Sequence, residues 1–228
     1  LEQRPGARLP LDARFVDDAG RAVRLGRYFG AAPVLLVLGY YRCADLCSTV
    51  MDGVLHNLAM LGLPAGGVRV VAVSIDPQDD AAGAARKRQA YAPLLGDGAI
   101  QLDLLTGARP ALQRLAAATG FHYAYDAAHQ RYLHPAGFLV ASADGVITHY
   151  FPGAGFDKRD LRLALVQASR GQIGSVADRI ALLCSHFDPA TGRYTGLAWN
   201  LARGFALLVA TLLAAVVWRL RRRERRRA

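Results

Sequence analysis

A chain of 228 residues, just over half of them apolar, can bury one sizeable core, which favours a single main domain. The formal charge of +10 suggests nucleic acid only until it is located: Arg219 to Arg227 holds seven arginines and one glutamate, and removing that +6 leaves about +4 for everything else. Nucleic acid is therefore set aside as a partner, and three cysteines are too few for a disulfide scaffold.

In chain order, residues 1 to 33 read as a polar lead-in, within which Arg14-Phe-Val-Asp-Asp-Ala-Gly20 has the form of a short hairpin turning at Asp-Ala-Gly. Pro33-Val-Leu-Leu-Val-Leu-Gly-Tyr40 is a continuous apolar run, too short for a core helix and rich in strand formers, so a strand buried on both faces is expected. Val50, Val54, Leu58 and Leu61 recur near the helical period and predict a helix from about Ala44 to Leu61. Val68 to Ile75 is the next strand, ending at Asp76-Pro77; Asp79 to Tyr91 has helical composition and Pro93 stops it. A short strand at Ile100 to Leu104, a helix from Ala108 to Thr119, and two strands, Gly137 to Ser142 and Val146 to Tyr150, follow. The last two flank Ala143-Asp144-Gly145 and should be antiparallel. A final helix is expected over Asp157 to Gln172. Strand, helix, strand implies a right-handed crossover and a parallel pair. A βαβ half joined to a ββα half, with helices on both faces of a mixed sheet, is the thioredoxin-like α/β plan.

Residues 173 to 196 read as an amphipathic juxtamembrane linker. The 15 apolar residues from Gly204 to Trp218 cover only about 22 Å as a helix, short of a bilayer core of roughly 30 Å. Counting from Leu197 to Leu220, with Asn200 and Arg203 as polar exceptions, recovers the length; Trp199 and Trp218 stand where interfacial aromatics belong, and Arg203 can snorkel. One C-terminal transmembrane helix is thus expected over residues 197 to 220, with a cytoplasmic tail at 221 to 228 by the positive-inside rule. The thioredoxin-like domain, residues 1 to 172, then faces the far side, the periplasm in a bacterium. Crossing needs an export signal, and because the chain opens Leu1-Glu-Gln-Arg-Pro without a charged-then-apolar leader, Leu1 reads as the start of a processed or trimmed chain.

Chemistry concentrates in Gly39-Tyr-Tyr-Arg-Cys43-Ala-Asp-Leu-Cys47, where both thiols fall on the loop and first helical turn after a central parallel strand. Sites on open α/β sheets lie off such carboxyl ends. On a helix the four-residue spacing places the sulfurs on one face with Cα atoms about 6 Å apart, so the pair can close as a disulfide or clamp one ion. A helix N-terminus also favours the thiolate, as nucleophile or ligand. Two sulfurs leave a soft ion exposed, and His134 is the candidate third donor: Pro135 biases it to an extended conformation just before a strand whose leading loop packs near the cysteine loop. Two thiolates and an imidazole suit Cu(I) or Cu(II), and zinc also accepts them. His56, His122, His129 and His149 read as structural, and Asp76-Pro77 most simply ends a strand. Cys184 and His186 also read as structural, the competing reading being a second soft donor pair near the bilayer.

At these residues the chain resembles the Sco/SenC family of copper metallochaperones over most of residues 10 to 170. The resemblance rests on Gly39 to Cys47 for the Cys-x-x-x-Cys motif, Val71-Ala-Val-Ser-Ile-Asp76-Pro77 for the strand and turn that follow, and His134-Pro-Ala-Gly-Phe138 for the histidine segment. The ending is similar to a C-terminally anchored bacterial branch, with Cys184 to Tyr194 ahead of the membrane helix. Ala44 stands where the family often has proline, and the anchor is at the opposite end from the better-known members. The resemblance implies copper held by Cys43, Cys47 and His134, and delivery of copper to, or reduction of, the dinuclear copper site of a respiratory oxidase subunit.

Three functions compete. A metallochaperone needs all three donors and no turnover. A thiol-disulfide oxidoreductase needs Cys43 to attack a partner disulfide and Cys47 to resolve the mixed disulfide, with a thiol reductant to reset the pair; a peroxidase version would recruit Arg42. A redox or copper sensor acting through a membrane partner is the third. The first two can share residues. Metal binding should depend on pH and redox state, because the ligands are deprotonated thiols and a neutral imidazole.

Overall fold

The computed structural model describes residues 1–42, 46–64, 66–95 and 100–171, and the backbone of 187–188 and 193–194; the side chains of 46–48 are likewise outside the description. The chain divides into two compact units, Leu1–Gly174 and Ser175–Ala228. In the second, Phe187–Asp188 pairs antiparallel with Arg193–Tyr194. The expected transmembrane helix at 197 to 220, the basic tail, Cys184 and His186 lie outside the described residues. Among the described residues no helix is long and apolar enough to cross a membrane.

In the first unit the elements run β1 (Arg14–Asp17), β2 (Ala22–Arg24), β3 (Val34–Gly39), α1 (Leu46–Met60), β4 (Val68–Ser74), α2 (Ala81–Tyr91), β5 (Ile100–Thr106), α3 (Arg109–Thr119), β6 (Ala124–Asp126), β7 (Arg131–Leu133), β8 (Gly137–Ala141), β9 (Ile147–Pro152) and α4 (Lys158–Ser169). Seven strands form one sheet in the order β2-β1-β5-β4-β3-β8-β9. Strands β3, β4 and β5 are parallel, while β8 runs antiparallel to β3, β9 to β8 and β1 to β5. This is the expected thioredoxin-like mixed sheet flanked by helices.

Alternation along β3 shows why a continuous apolar run was needed. Leu35 and Val37 point into a cluster with Val50, Val54, Leu55 and Leu58 of α1 and Leu161 and Leu165 of α4. Val34, Leu36 and Leu38 point the other way, toward Phe15, Leu25, Leu112 and Leu115. Each such fully buried side chain contributes about 1.5–3 kcal/mol relative to exposure, so β3 is held from both faces. The helices start where capping dictates: Asp80 accepts from Gly83 N at 2.7 Å ahead of α2, and Asp157 from Arg159 N at 2.6 Å ahead of α4.

Two features differ from the sequence expectation. The N-terminal hairpin is part of the main sheet, because β5 runs on to Thr106 and pairs there with Val16. Between α3 and β8 the chain also forms a separate two-stranded ribbon, β6 with β7. Its turn carries Gln130 at φ 50°, a left-handed residue that is not glycine.

Candidate functional site

The site is built at the carboxyl end of β3, where three consecutive side chains anchor the segment leading to Cys43 in different directions. Tyr40 packs edge-on against His134 and Tyr132, with ring centroids 5.7 Å and 5.6 Å away. Tyr41 reaches into the sheet, its hydroxyl donating to the carbonyl of Leu105 at 2.8 Å, with that of Ala72 at 3.1 Å. Burial, and secondarily the charge of Asp79, hold its phenol well above the ordinary tyrosine range. Arg42 turns outward and meets the β4–α2 turn: its guanidinium donates to Asp76 at 2.5 Å and to Gln78 at 3.2 Å, and its Nε lies 3.2 Å from Asp79.

That turn is itself fixed. Asp79 Oδ2 accepts from the Tyr41 backbone N–H and from the Ser74 hydroxyl, each at 2.7 Å, and its side chain is only 3% exposed. Asp76 Oδ1 accepts from Gln78 N at 2.9 Å and from the Tyr132 hydroxyl at 3.4 Å. The hydrogen bond from Arg42 to Asp76 heads the reasons why the guanidinium is raised further above its ordinary value. Asp76 therefore does more than end a strand: with Asp79 it clamps the residue before Cys43. Sequence reasoning missed this clamp, although three acidic residues at 76, 79 and 80 opposite Arg42 were a visible signal.

His134 follows β7 and sits between Tyr40 and Phe121, its ring stacked on Phe121 at 5.7 Å and 29°. Its Nδ1 lies 2.9 Å from the Pro135 carbonyl. A carbonyl can only accept, so Nδ1 carries the proton and, in the neutral ring, Nε2 carries the lone pair. A backbone carbonyl fixing the tautomer in this way is the usual support for a ligating imidazole. Three residues after His134, Gly137 has φ 134°, and a Cβ there would lie 2.4 Å from the Phe151 carbonyl oxygen, so only glycine lets the histidine segment join β8 against β9.

Of the expected ligands, then, the structure places His134 against the segment that leads into the cysteine loop. Cys43 lies outside the described residues, and Cys47 is described only as backbone in the first turn of α1. No group of three His, Cys, Asp or Glu side chains placed to hold a metal ion is found among the described residues, which do not include the two thiols. The other histidines are placed elsewhere: His56 is exposed on α1, His122 lies 3.1 Å from Glu2, His129 lies 2.7 Å from Asp126, and His149 lies 2.7 Å from Gln167.

Comparison with known proteins agrees with this architecture. Among solved structures, a protein from Aquifex aeolicus VF5 is 24% identical with a TM-score of 0.62, the match covering 74% of this chain and 100% of that one. Arabidopsis thaliana ScoI, solved with copper bound, is 18% identical with a TM-score of 0.59 over 74% and 99% of the two chains. BsSco, a member of the Sco family of cytochrome c oxidase assembly proteins with a disulfide switch, is 19% identical with a TM-score of 0.57 over 74% and 98%. These likenesses establish the fold. No curated protein matches the sequence. The SCO1/SenC family model matches residues 2–167, most of the chain and every element from β1 to α4 except the last two residues of α4, and on that ground the chain belongs to the SCO1/SenC family.

Proposed function

We propose that this protein handles copper for the assembly of a respiratory cytochrome oxidase, holding the ion with Cys43, Cys47 and His134 and delivering it to, or reducing the cysteines of, the oxidase's dinuclear copper site. The observation that carries this reading is the position of His134: its imidazole, tautomer fixed by Pro135, packs on the residue that leads from β3 into the cysteine loop. Family membership supports it, as do the copper bound by Arabidopsis ScoI and the assembly role of BsSco. Copper is cargo here, and the chain's own residues supply two soft sulfurs, an oriented imidazole and an anchored loop.

The disulfide switch of BsSco favours keeping thiol exchange as a second reading. Cys43 thiolate would attack a partner disulfide, releasing one partner thiolate; Cys47 would then attack the mixed disulfide, releasing the second and closing the Cys43–Cys47 disulfide. The two electrons gained by the partner leave this pair oxidised, so a thiol reductant must restore it. Residues 197 to 220 are proposed as the membrane span, with the tail at 221 to 228 cytoplasmic and the globular domain periplasmic, on the strength of the arginine cluster and the flanking tryptophans.

Incubating the copper-loaded chain with a metal-free, disulfide-containing oxidase copper domain separates these readings. Delivery yields the recipient's dinuclear-copper absorbance once its cysteines are reduced, and reduction yields free recipient thiols without copper transfer. Neither change would contradict both. Protease added outside sealed inverted vesicles should remove the tail and spare the domain.

A further inference from the structure

Beside His134 lies a wide groove of about 1040 Å³, at the top of the size range of small-ligand sites. Much of its lining is aromatic: Tyr40, Phe121, Tyr123, Tyr125 and Tyr132 all line it, and the rings are linked by T-shaped and tilted contacts with centroids 5.0–6.4 Å apart. Two of these rings, Tyr40 and Phe121, are the ones that sandwich His134. The rim is cationic. Arg4, Arg42, Arg109 and Arg131 line the groove against one carboxylate, Asp76. Arg42 is committed to Asp76 and Asp79, and Arg4 to Glu2, but Arg131 is 57% exposed and no closer than 3.9 Å to Asp126, and Arg109 makes no ion pair among the described residues.

Among the described residues the β6–β7 ribbon that forms one wall pairs with no other strand, and such a ribbon can take an added strand along its edge. Tyr125 and Leu133 stand on it 56% and 51% exposed. A single small anion would be served by the arginines alone and would leave the rings and the ribbon edge unexplained. An extended peptide uses all three, with acidic side chains toward Arg109 and Arg131, apolar side chains on the tyrosines, and main chain along the ribbon.

We propose that this groove docks an acidic, extended segment of the protein that receives copper, laying it alongside His134. The proposal rests on the copper reading above, and it adds the surface and the chemistry of the partner. Docking there sets the recipient against Tyr40 and Phe121, the two rings that pack on His134.

The test uses the full chain in mild detergent and a fluorescein-labelled, extended peptide of alternating glutamate and valine, followed by anisotropy, with a lysine-valine peptide of equal length as control. The glutamate peptide should bind, the lysine peptide should not, and binding should weaken with salt. Arg109→Glu with Arg131→Glu should weaken it on the order of tenfold or more, because both then repel the acidic partner, and Tyr125→Ala should weaken it several-fold. Arg86→Glu on α2, away from the groove, should leave it unchanged. Copper titration of the same variants should give wild-type stoichiometry, since none is a ligand. Peptide binding indifferent to Arg109 and Arg131 would place it on the basic tail and overturn the proposal. Failure to bind peptide while anionic phospholipid vesicles bind through the same arginines would overturn it in favour of a lipid surface. A wild-type chain that takes up no copper would overturn the copper reading instead, whatever the peptide does.

Discussion

The segment that leads into the cysteine loop, Tyr40 to Arg42, meets two regions built on different physics. On the β4–α2 side, Arg42 is held by directional, charge-assisted bonds to Asp76 and Asp79, and the second carboxylate is almost fully buried. On the other side, the His134 ring packs against Tyr40 and Phe121, and its Nδ1 lies 2.9 Å from the carbonyl of its neighbour Pro135. A charged clamp fixes where a backbone begins; stacked rings position a side chain while permitting small rotations at little cost. The clamp therefore fixes the backbone just before Cys43, while the rings position the His134 side chain.

Breaking the ring flank through its backbone should have the largest effect. Gly137→Ala puts a Cβ into the Phe151 carbonyl at a left-handed φ, so a cost of about 3 kcal/mol is expected, read as a fall in melting temperature of roughly 6–12 °C. Copper affinity should fall with it, because His134 loses its register. Breaking the clamp comes next. Asp79→Ala leaves the Tyr41 N–H, the Ser74 hydroxyl and part of the Arg42 charge without their acceptor, at about 2–3 kcal/mol in denaturant titration. Asp79→Asn keeps one acceptor oxygen and should cost roughly half as much; equal losses for the two variants would mean that charge, not hydrogen bonding, holds the loop. The smallest effect is expected for Tyr132→Phe, which removes the 3.4 Å bond to Asp76 that links the two flanks, while keeping the ring. It should change stability by less than about 0.5 kcal/mol, and a larger change would show that the flanks are coupled.

The sheet was legible because β3, β4 and β8 are short apolar runs bounded by glycine, proline and aspartate, and because α1 repeats its apolar residues at the helical period. The histidine segment was legible from His134-Pro135 ahead of a strand. The long-range partner of the N-terminal hairpin was not, since Val16 meeting Thr106 has no local signature. Nor was the β6–β7 ribbon: its turn runs Ala127-Ala-His-Gln130 without the glycine or asparagine that marks a left-handed position, and Asp126 supplies the turn by accepting from Ala128 and His129 N–H groups instead. The arginine clamp escaped because Arg42 and Asp76 are 34 residues apart and each has a bland local explanation.

The most direct test of the account is anaerobic titration of the reduced chain with Cu(II), followed by ultraviolet-visible absorption, for wild type and for His134→Ala. A sulfur-to-copper charge-transfer band should saturate at one equivalent and be lost or strongly weakened in the variant, whose melting temperature should stay close to wild type. No band in the wild type, with the thiols merely oxidised to a disulfide, or an identical band and stoichiometry in His134→Ala, would contradict it.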